Sequence, residues 1–264
     1  MQCRGIAIII TILLTLSTAS GCRTIRGAQH LPRQAFVFIM NTVVFQACVD
    51  EDCIDIADGS VMGSGFLVAT NDRASWGITA GHLCVQEPPQ GATLVGPDGV
   101  EREPRIRSQI RVIWLGGEWH HAVVEEVHPN LDLCVLRLDN VRAPQIIEVA
   151  PRPPRLGDRV FVMSAPLGTF DPKGMLLHFE GIYSGHTADI PPPMGGAPMI
   201  FDAYTVPARG GSSGSPIMNT EGQLVGVTSV ALRNFEHMCL SPTYVGVAAV
   251  VRDVQERAHR RNTP

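Results

Sequence analysis

Short runs rich in Val, Ile, Phe and Thr, each closed by turn residues, recur along most of this chain of 264 residues. They fall at 35–49, 63–69, 76–80, 93–95, 109–115, 122–127, 132–138, 159–163, 176–184, 199–204, 215–218, 223–230 and 243–248. The chain carries 26 glycines and 20 prolines, well above the roughly 12% of average usage, which supplies tight turns between the runs. Such spacing predicts an all-β barrel or sandwich and argues against a helical bundle. One helix is expected, over 249–260, because Val250, Val251, Val254 and Ala258 share a face opposite Arg252, Asp253, Glu256 and Arg257. The segment 143–158 (APQIIEVAPRPPRLGD) holds four prolines and reads as a linker between two lobes, at about 34–142 and 159–248.

Charge narrows the partners. The net charge is −4, and all but one of the 21 cationic side chains are Arg, with no run longer than Arg260 and Arg261. A chain without a basic excess is poorly suited to gripping phosphates, so no nucleic-acid partner is expected.

The first residues read as an address. Arg4 precedes an uncharged apolar run of twelve residues, 5–16 (GIAIIITILLTL), too short to span a bilayer and suited to a secretory signal. The following LSTASGC, 16–22, resembles a bacterial lipoprotein processing box, with Ala19, Ser20 and Gly21 before Cys22. A signal peptide over 1–21, a lipid on Cys22 and a tether over 22–33 are therefore expected. The chain would sit on the periplasmic side of a bacterial membrane through that anchor, or be secreted if Cys22 carries no lipid.

Of seven cysteines, Cys3 leaves with the signal and Cys22 is the lipid acceptor, so an odd five remain. Cys48 and Cys53 flank VDED between two strand-like runs, where a hairpin would bring them together as a disulfide. Cys134, inside LDLCVLRL, reads as a free thiol of the core. The spacing leaves a Cys84 and Cys239 pair open. No cysteine or histidine grouping has zinc-ligand spacing; His120, His121, Glu125, Glu126 and His128 lie on one strand, where successive side chains diverge. Neither a metal nor a cofactor is expected.

The string most informative about chemistry is ARGGSSGSPIM, 208–218. A serine hydroxyl becomes a nucleophile only when a base takes its proton and donors receive the charge developing on the attacked carbonyl. Gly211 and Gly214 allow a turn that projects Ser213 and converges the N–H groups of Gly211 and Ser213. Upstream, GITAGHLC places His82 at the end of a strand, and VHPNLDLCVLRL places Asp132 at the mouth of another. A buried carboxylate there needs a donor, which an imidazole N–H supplies.

These strings together resemble the trypsin/chymotrypsin-fold serine proteases, in particular the bacterial trypsin-like branch that includes HtrA and glutamyl-endopeptidase types. TAGHLC resembles the family's histidine motif, LDLCVLRL its aspartate strand and GSSGSP its nucleophile turn, in the family's order. GSGFLV, VFVMSAPLG, EGIYSG and QLVGVTS add weaker matches across about 35–256. The resemblance implies two six-stranded antiparallel β-barrels with a C-terminal helix and a cleft between them. It implies peptide hydrolysis through an acyl-enzyme, with Ser213 as nucleophile, His82 as base, Asp132 orienting it, and the Gly211 and Ser213 amides as oxyanion hole.

Departures from the family pattern limit what is carried over. Ser212 stands where many relatives have the Asp that pairs with a newly cut N-terminus, so that activation route is not expected. Pro207 stands where trypsins select basic residues, and Thr228 where glutamyl endopeptidases receive acidic ones. Pro207, Ser229, Val230 and Ala231 are expected to line a pocket for a small or apolar P1 side chain. The stretch 189–198 (DIPPPMGGAP) is expected to be a loop on the substrate rim. No PDZ-like module is expected after the helix. The contrasting expectation is a catalytically silent lipoprotein of the same fold, acting as a binding or scaffolding module.

Overall fold

The computed structural model describes residues 31–261 except 87, 89–92, 96–97, 233–234 and 236. The expected signal peptide, Cys22 and most of the tether lie outside the described residues. The first lobe comprises β1 (Phe36–Val49), β2 (Asp52–Thr70), β3 (Ala74–Ala80), β4 (Leu94–Val95), β5 (Glu101–Ile113), β6 (His120–His128) and β7 (Leu133–Asp139). Strands follow the antiparallel order β1-β2-β3-β7-β6-β5, and β5 pairs back onto β1, which closes a six-stranded barrel. Only β4 stands outside it, paired to β5.

β1 reads FVFIM at its start, apolar on both faces, because both faces are largely buried there. Val37 and Ile39 pack with Leu67, Val112, Leu136 and Leu138 in a cluster confined to this lobe and Ala143, the barrel interior. Phe36 and Phe38 turn the other way. With Phe66, Trp76 and Ile78 they join Met163, Leu224, Val251 and Val254, so one apolar cluster spans both lobes and the terminal helix. Burying each such side chain contributes roughly 1.5–3 kcal/mol, and here the gain also fixes one lobe against the other.

The second lobe comprises β8 (Arg159–Ser164), β9 (Phe170–Asp171), β10 (Met175–His186), β11 (Phe201–Tyr204), β12 (Pro216–Met218), β13 (Leu224–Val227), β14 (Val230–Ala231) and β15 (Cys239–Pro242). Its sheet runs β13-β12-β8-β10-β11-β15-β14, with β9 on β10. β13 and β14 are halves of one passage interrupted at Thr228 and Ser229; the first half pairs with β12 and the second with β15. The linker 143–158 crosses between the lobes, Ile147 N–H donating to Leu67 O (2.8 Å) and Ala150 N–H to Leu224 O (3.0 Å).

Three expectations are corrected. The run 243–248 is not a strand, and the helix does not begin at 249: α1 is Tyr244–Arg260. Its β-branched start suggests a strand by local preference, but burial of Val247, Ala248, Val251 and Val254 along one face favours the helix. Asp202, on β11, accepts the Tyr244 N–H at 2.7 Å and holds the first turn in place. The second correction is that β2 and β5 extend far into polar sequence, to Asp52 and Glu101, as an exposed ribbon. There Cys48 and Cys53 are bonded and Gln46 Nε2 donates to Asp55 at 2.8 Å.

The third concerns Cys134, which is not a free thiol but is bonded to Cys84. The reason is register: Cys134 pairs opposite Thr79 near the end of β3, and the chain then turns, bringing Cys84 back over it. Among the described residues Cys239 is the free cysteine, and it is buried.

Candidate active site

His82 lies in the 3-10 turn Gly81–Leu83, directly after β3, and Asp132 lies between the 3-10 turn Pro129–Leu131 and β7. The β3–β7 ladder ends at Ala80↔Leu133, so the two residues leave adjacent strands side by side. Asp132 adopts a left-handed backbone, φ 47 and ψ 45, which a residue with a Cβ visits at a cost of roughly 1–2 kcal/mol. The conformation turns its carboxylate back over Gly81, whose N–H donates to Asp132 O at 2.9 Å.

That carboxylate is fully buried and would be costly there without donors. Three reach it. The His82 backbone N–H donates to Oδ1 at 2.9 Å, the His82 ring Nδ1 lies 3.0 and 2.9 Å from the two oxygens, and Ser229 Oγ donates to Oδ2 at 2.5 Å. An ionised carboxylate only accepts hydrogen bonds, so Nδ1 carries the proton, and the neutral ring presents Nε2 as an acceptor. The His82 side chain is 28% exposed, so that acceptor borders open space while its partner is sealed.

Ser213 sits in a turn built around two glycines with positive φ, Gly211 (92°) and Gly214 (83°). A Cβ on Gly214 would meet Ser64 O at 2.0 Å, Thr79 Oγ1 at 2.3 Å and Ala80 N at 3.0 Å. Only glycine permits this approach, which packs the turn on the strand end leading to His82. Ser64 completes the junction: its N–H donates to Ser213 O (2.8 Å) and its hydroxyl to Gly211 O (2.8 Å).

The same turn orients two amides. Leu167 N–H donates to Gly210 O at 2.6 Å, and in a planar trans peptide the Gly211 N–H therefore points away from Leu167. Ser215 N–H donates to Ser212 O at 3.0 Å, which aims the Ser213 N–H away from Ser215. Neither the Gly211 nor the Ser213 N–H donates to another backbone carbonyl among the described residues. N–H groups that no protein carbonyl engages are open to an acceptor from outside the chain. Ser212 closes the turn from within, its hydroxyl accepting the Arg209 N–H at 3.2 Å.

The residues expected to line a specificity pocket fare differently. Pro207 borders a hollow of about 290 Å³ shared with Pro166, Phe179, Ala208, Arg209 and His237. Val230 and Ala231 pair with Leu240 and Cys239 of β15. Ser229 is not a pocket wall in its side chain, since its hydroxyl is committed to Asp132. No sequence signal could have assigned that role, because the partners are 97 positions apart. Met194, from the expected rim loop, touches Gly81: a Cβ there would meet its sulfur at 2.6 Å.

Outside this site, the second lobe holds another buried carboxylate. Asp202 receives the Tyr183 hydroxyl at 3.1 Å and His186 Nδ1 at 2.7 Å in addition to the Tyr244 N–H. Burial raises its pKa, against the lowering influence of these partners. Burial likewise pushes the Cys239 thiol up to about 12, which keeps it protonated and inert. Among the described residues no grouping of His, Cys, Asp and Glu could hold a metal ion. On β6, Glu125 and Glu126 are engaged instead with Arg257 and Arg261 of the C-terminal segment.

Comparison with known proteins gives a consistent result. A family model described as a trypsin-like peptidase domain matches residues 63–227. The structure is similar to the active form of the Rv3671c protease from M. tuberculosis, with a TM-score of 0.56 and 19% identity, over 83% of this chain and 79% of that one. It is similar also to the serine endoprotease from Yersinia pestis, with a TM-score of 0.55 and 18% identity, over 87% of this chain and 67% of that one. At these identities the two structures speak to the fold. No curated protein matches the sequence.

Proposed function

Because the chain belongs to the trypsin-like peptidase family, we propose that it is a serine endopeptidase that works through Ser213, His82 and Asp132. Ser213 Oγ attacks the carbonyl carbon of the scissile peptide while His82 Nε2 takes its proton; the tetrahedral intermediate collapses to an acyl-enzyme as the same nitrogen protonates the leaving amine. Water then repeats the sequence on the ester. Asp132 holds the ring in the tautomer that leaves Nε2 able to accept and offsets the positive charge the ring gains. The Gly211 and Ser213 amides receive the oxyanion, and one such donor is typically worth roughly 3 kcal/mol of barrier.

The observation that carries this reading is the buried Asp132 carboxylate with His82 Nδ1 at 2.9 Å, beside a nucleophile turn whose two amides are left without backbone acceptors. A fluorophosphonate probe tests it: wild type is expected to be labelled and Ser213→Ala not. A folded wild type that stays unlabelled sinks the enzyme reading and leaves the silent binding module.

The substrate is proposed as a peptide or protein with a small or apolar P1 residue beside Pro207, Val230 and Ala231, which a peptide-library cleavage profile tests. Export and lipid attachment at Cys22 are proposed from the sequence alone. Mass spectrometry of wild type against Cys22→Ser tests the anchor, and a difference equal to the substitution itself counts against it.

A further inference from the structure

We infer that the Cys84–Cys134 disulfide is a positioning clamp on the His82–Asp132 pair, so that opening it slows acylation of Ser213 while the fold persists. The inference rests on the proposed peptidase reading for its activity readout. Each cysteine lies two residues beyond one of the paired side chains, Cys84 after His82 and Cys134 after Asp132. The bond therefore crosses between the very segments that carry the pair.

What else holds those segments in place is non-covalent, including the donors on the Asp132 carboxylate and the Asn41 amide on Leu83 O at 2.8 Å. The β3–β7 ladder stops at Ala80↔Leu133, before either residue is reached. Beyond it His82 sits in a single 3-10 turn, and Asp132 in a left-handed conformation that needs outside support. Apart from the pair's own bonds, Gly81 N–H to Asp132 O is, among the described residues, the one backbone bond that spans the gap. The clamp lies on the barrel side, where Cys84 and Cys134 pack among Leu67, Ile110 and Leu136. A covalent tie anchored in that core restrains both turns from beneath, leaving the His82 ring free to face substrate. The barrel itself does not depend on it, because six strands close the barrel by hydrogen bonds.

Opening the bond requires a dithiol. Its two thiols are oxidised to their own disulfide, two electrons and two protons pass to the protein sulfurs, and Cys84 and Cys134 become thiols. The other disulfide, Cys48–Cys53, is at the far end of the ribbon, so a Cys48→Ser/Cys53→Ser background isolates the effect and is expected to be labelled at the wild-type rate.

In that background the full chain is treated with dithiothreitol, thiols are counted by mass after alkylation, and far-ultraviolet circular dichroism monitors the fold. Reduction is expected to lower the fluorophosphonate inactivation rate constant about tenfold or more, since small misplacements of reacting groups are costly. The probe's binding constant should hold, and reoxidation should restore the rate. Cys84→Ala/Cys134→Ala should show the same loss and no response to dithiol. The low-field proton resonance of His82 Nδ1–H should broaden or shift on reduction. An undiminished rate in that background with Cys84 and Cys134 both shown to be thiols overturns the inference. So does cooperative unfolding on reduction, which makes the bond a general staple. If oxidised wild type is never labelled, the peptidase reading fails, and the resonance alone decides the clamp: unchanged on reduction, it is refuted.

Discussion

Ser229→Ala isolates the hydroxyl donor on which Asp132 depends. The Ser229 hydroxyl donates at 2.5 Å to a carboxylate with no solvent exposure, and Ser229 itself is only 5% exposed. A hydrogen bond to a charged group is worth roughly 1.5–3 kcal/mol, and the space vacated by a single oxygen is marginal for a replacement water. The substitution is therefore expected to cost about 2 kcal/mol of stability at pH 7. For a domain of this size each kcal/mol corresponds to roughly 2–4 °C in melting temperature, so calorimetry should read a drop of about 4–8 °C. The two His82 donors remain on the carboxylate, so the fluorophosphonate labelling rate should fall by less than about tenfold, set against near-complete loss for Asp132→Ala. A melting temperature within a degree of wild type would falsify the account of Asp132 as a carboxylate that needs its third donor.

Other outcomes follow from single contacts. Gly214→Ala puts a methyl 2.0 Å from Ser64 O at a φ of 83°; with roughly 1–2 kcal/mol for the left-handed backbone and 1–3 for overpacking, urea unfolding should show a loss of about 2–5 kcal/mol. Leu167→Pro removes the N–H that donates to Gly210 O at 2.6 Å and also forbids the left-handed φ of 54° that Leu167 adopts, so the turn seating Gly210 is lost and probe labelling should drop about a hundredfold or more. Asp202 has a pKa raised by burial, so its contribution is fully present below the unfolded value, about 3.9, and is lost as pH rises through the folded one. Wild type should therefore lose melting temperature relative to Asp202→Asn as pH climbs from 4 towards neutrality. Parallel curves for the two proteins would remove Asp202 from the pH dependence.

Much of this architecture is legible locally. Runs of β-branched residues between Gly and Pro mark strands because pleated pairing and tight turns both depend on near neighbours. The GSSGSP turn, TAGH and LDL are legible for a similar reason, since left-handed glycines and a carboxylate at a strand mouth are constraints of a few residues. The polar stretches of β2 and β5 are not legible: these strands flank β1 and are held chiefly by pairing to it, with little burial to impose an apolar pattern. The first turn of α1 is not legible for the opposite reason, because its β-branched residues favour a strand locally until a core and the Asp202 carboxylate are supplied.

Taken by itself, the amino-acid order decided the fold class and the residue types available for chemistry, both of which rest largely on interactions within about ten residues. Only the folded molecule decided that Cys84 bonds Cys134 and not Cys239, and that Ser229 serves Asp132. These contacts join segments 50 and 97 positions apart, and their partners are chosen by strand register and by the packing of one lobe against the other. Register is a property of the assembled sheet, where shifting a strand by one residue would send each of these side chains to the opposite face.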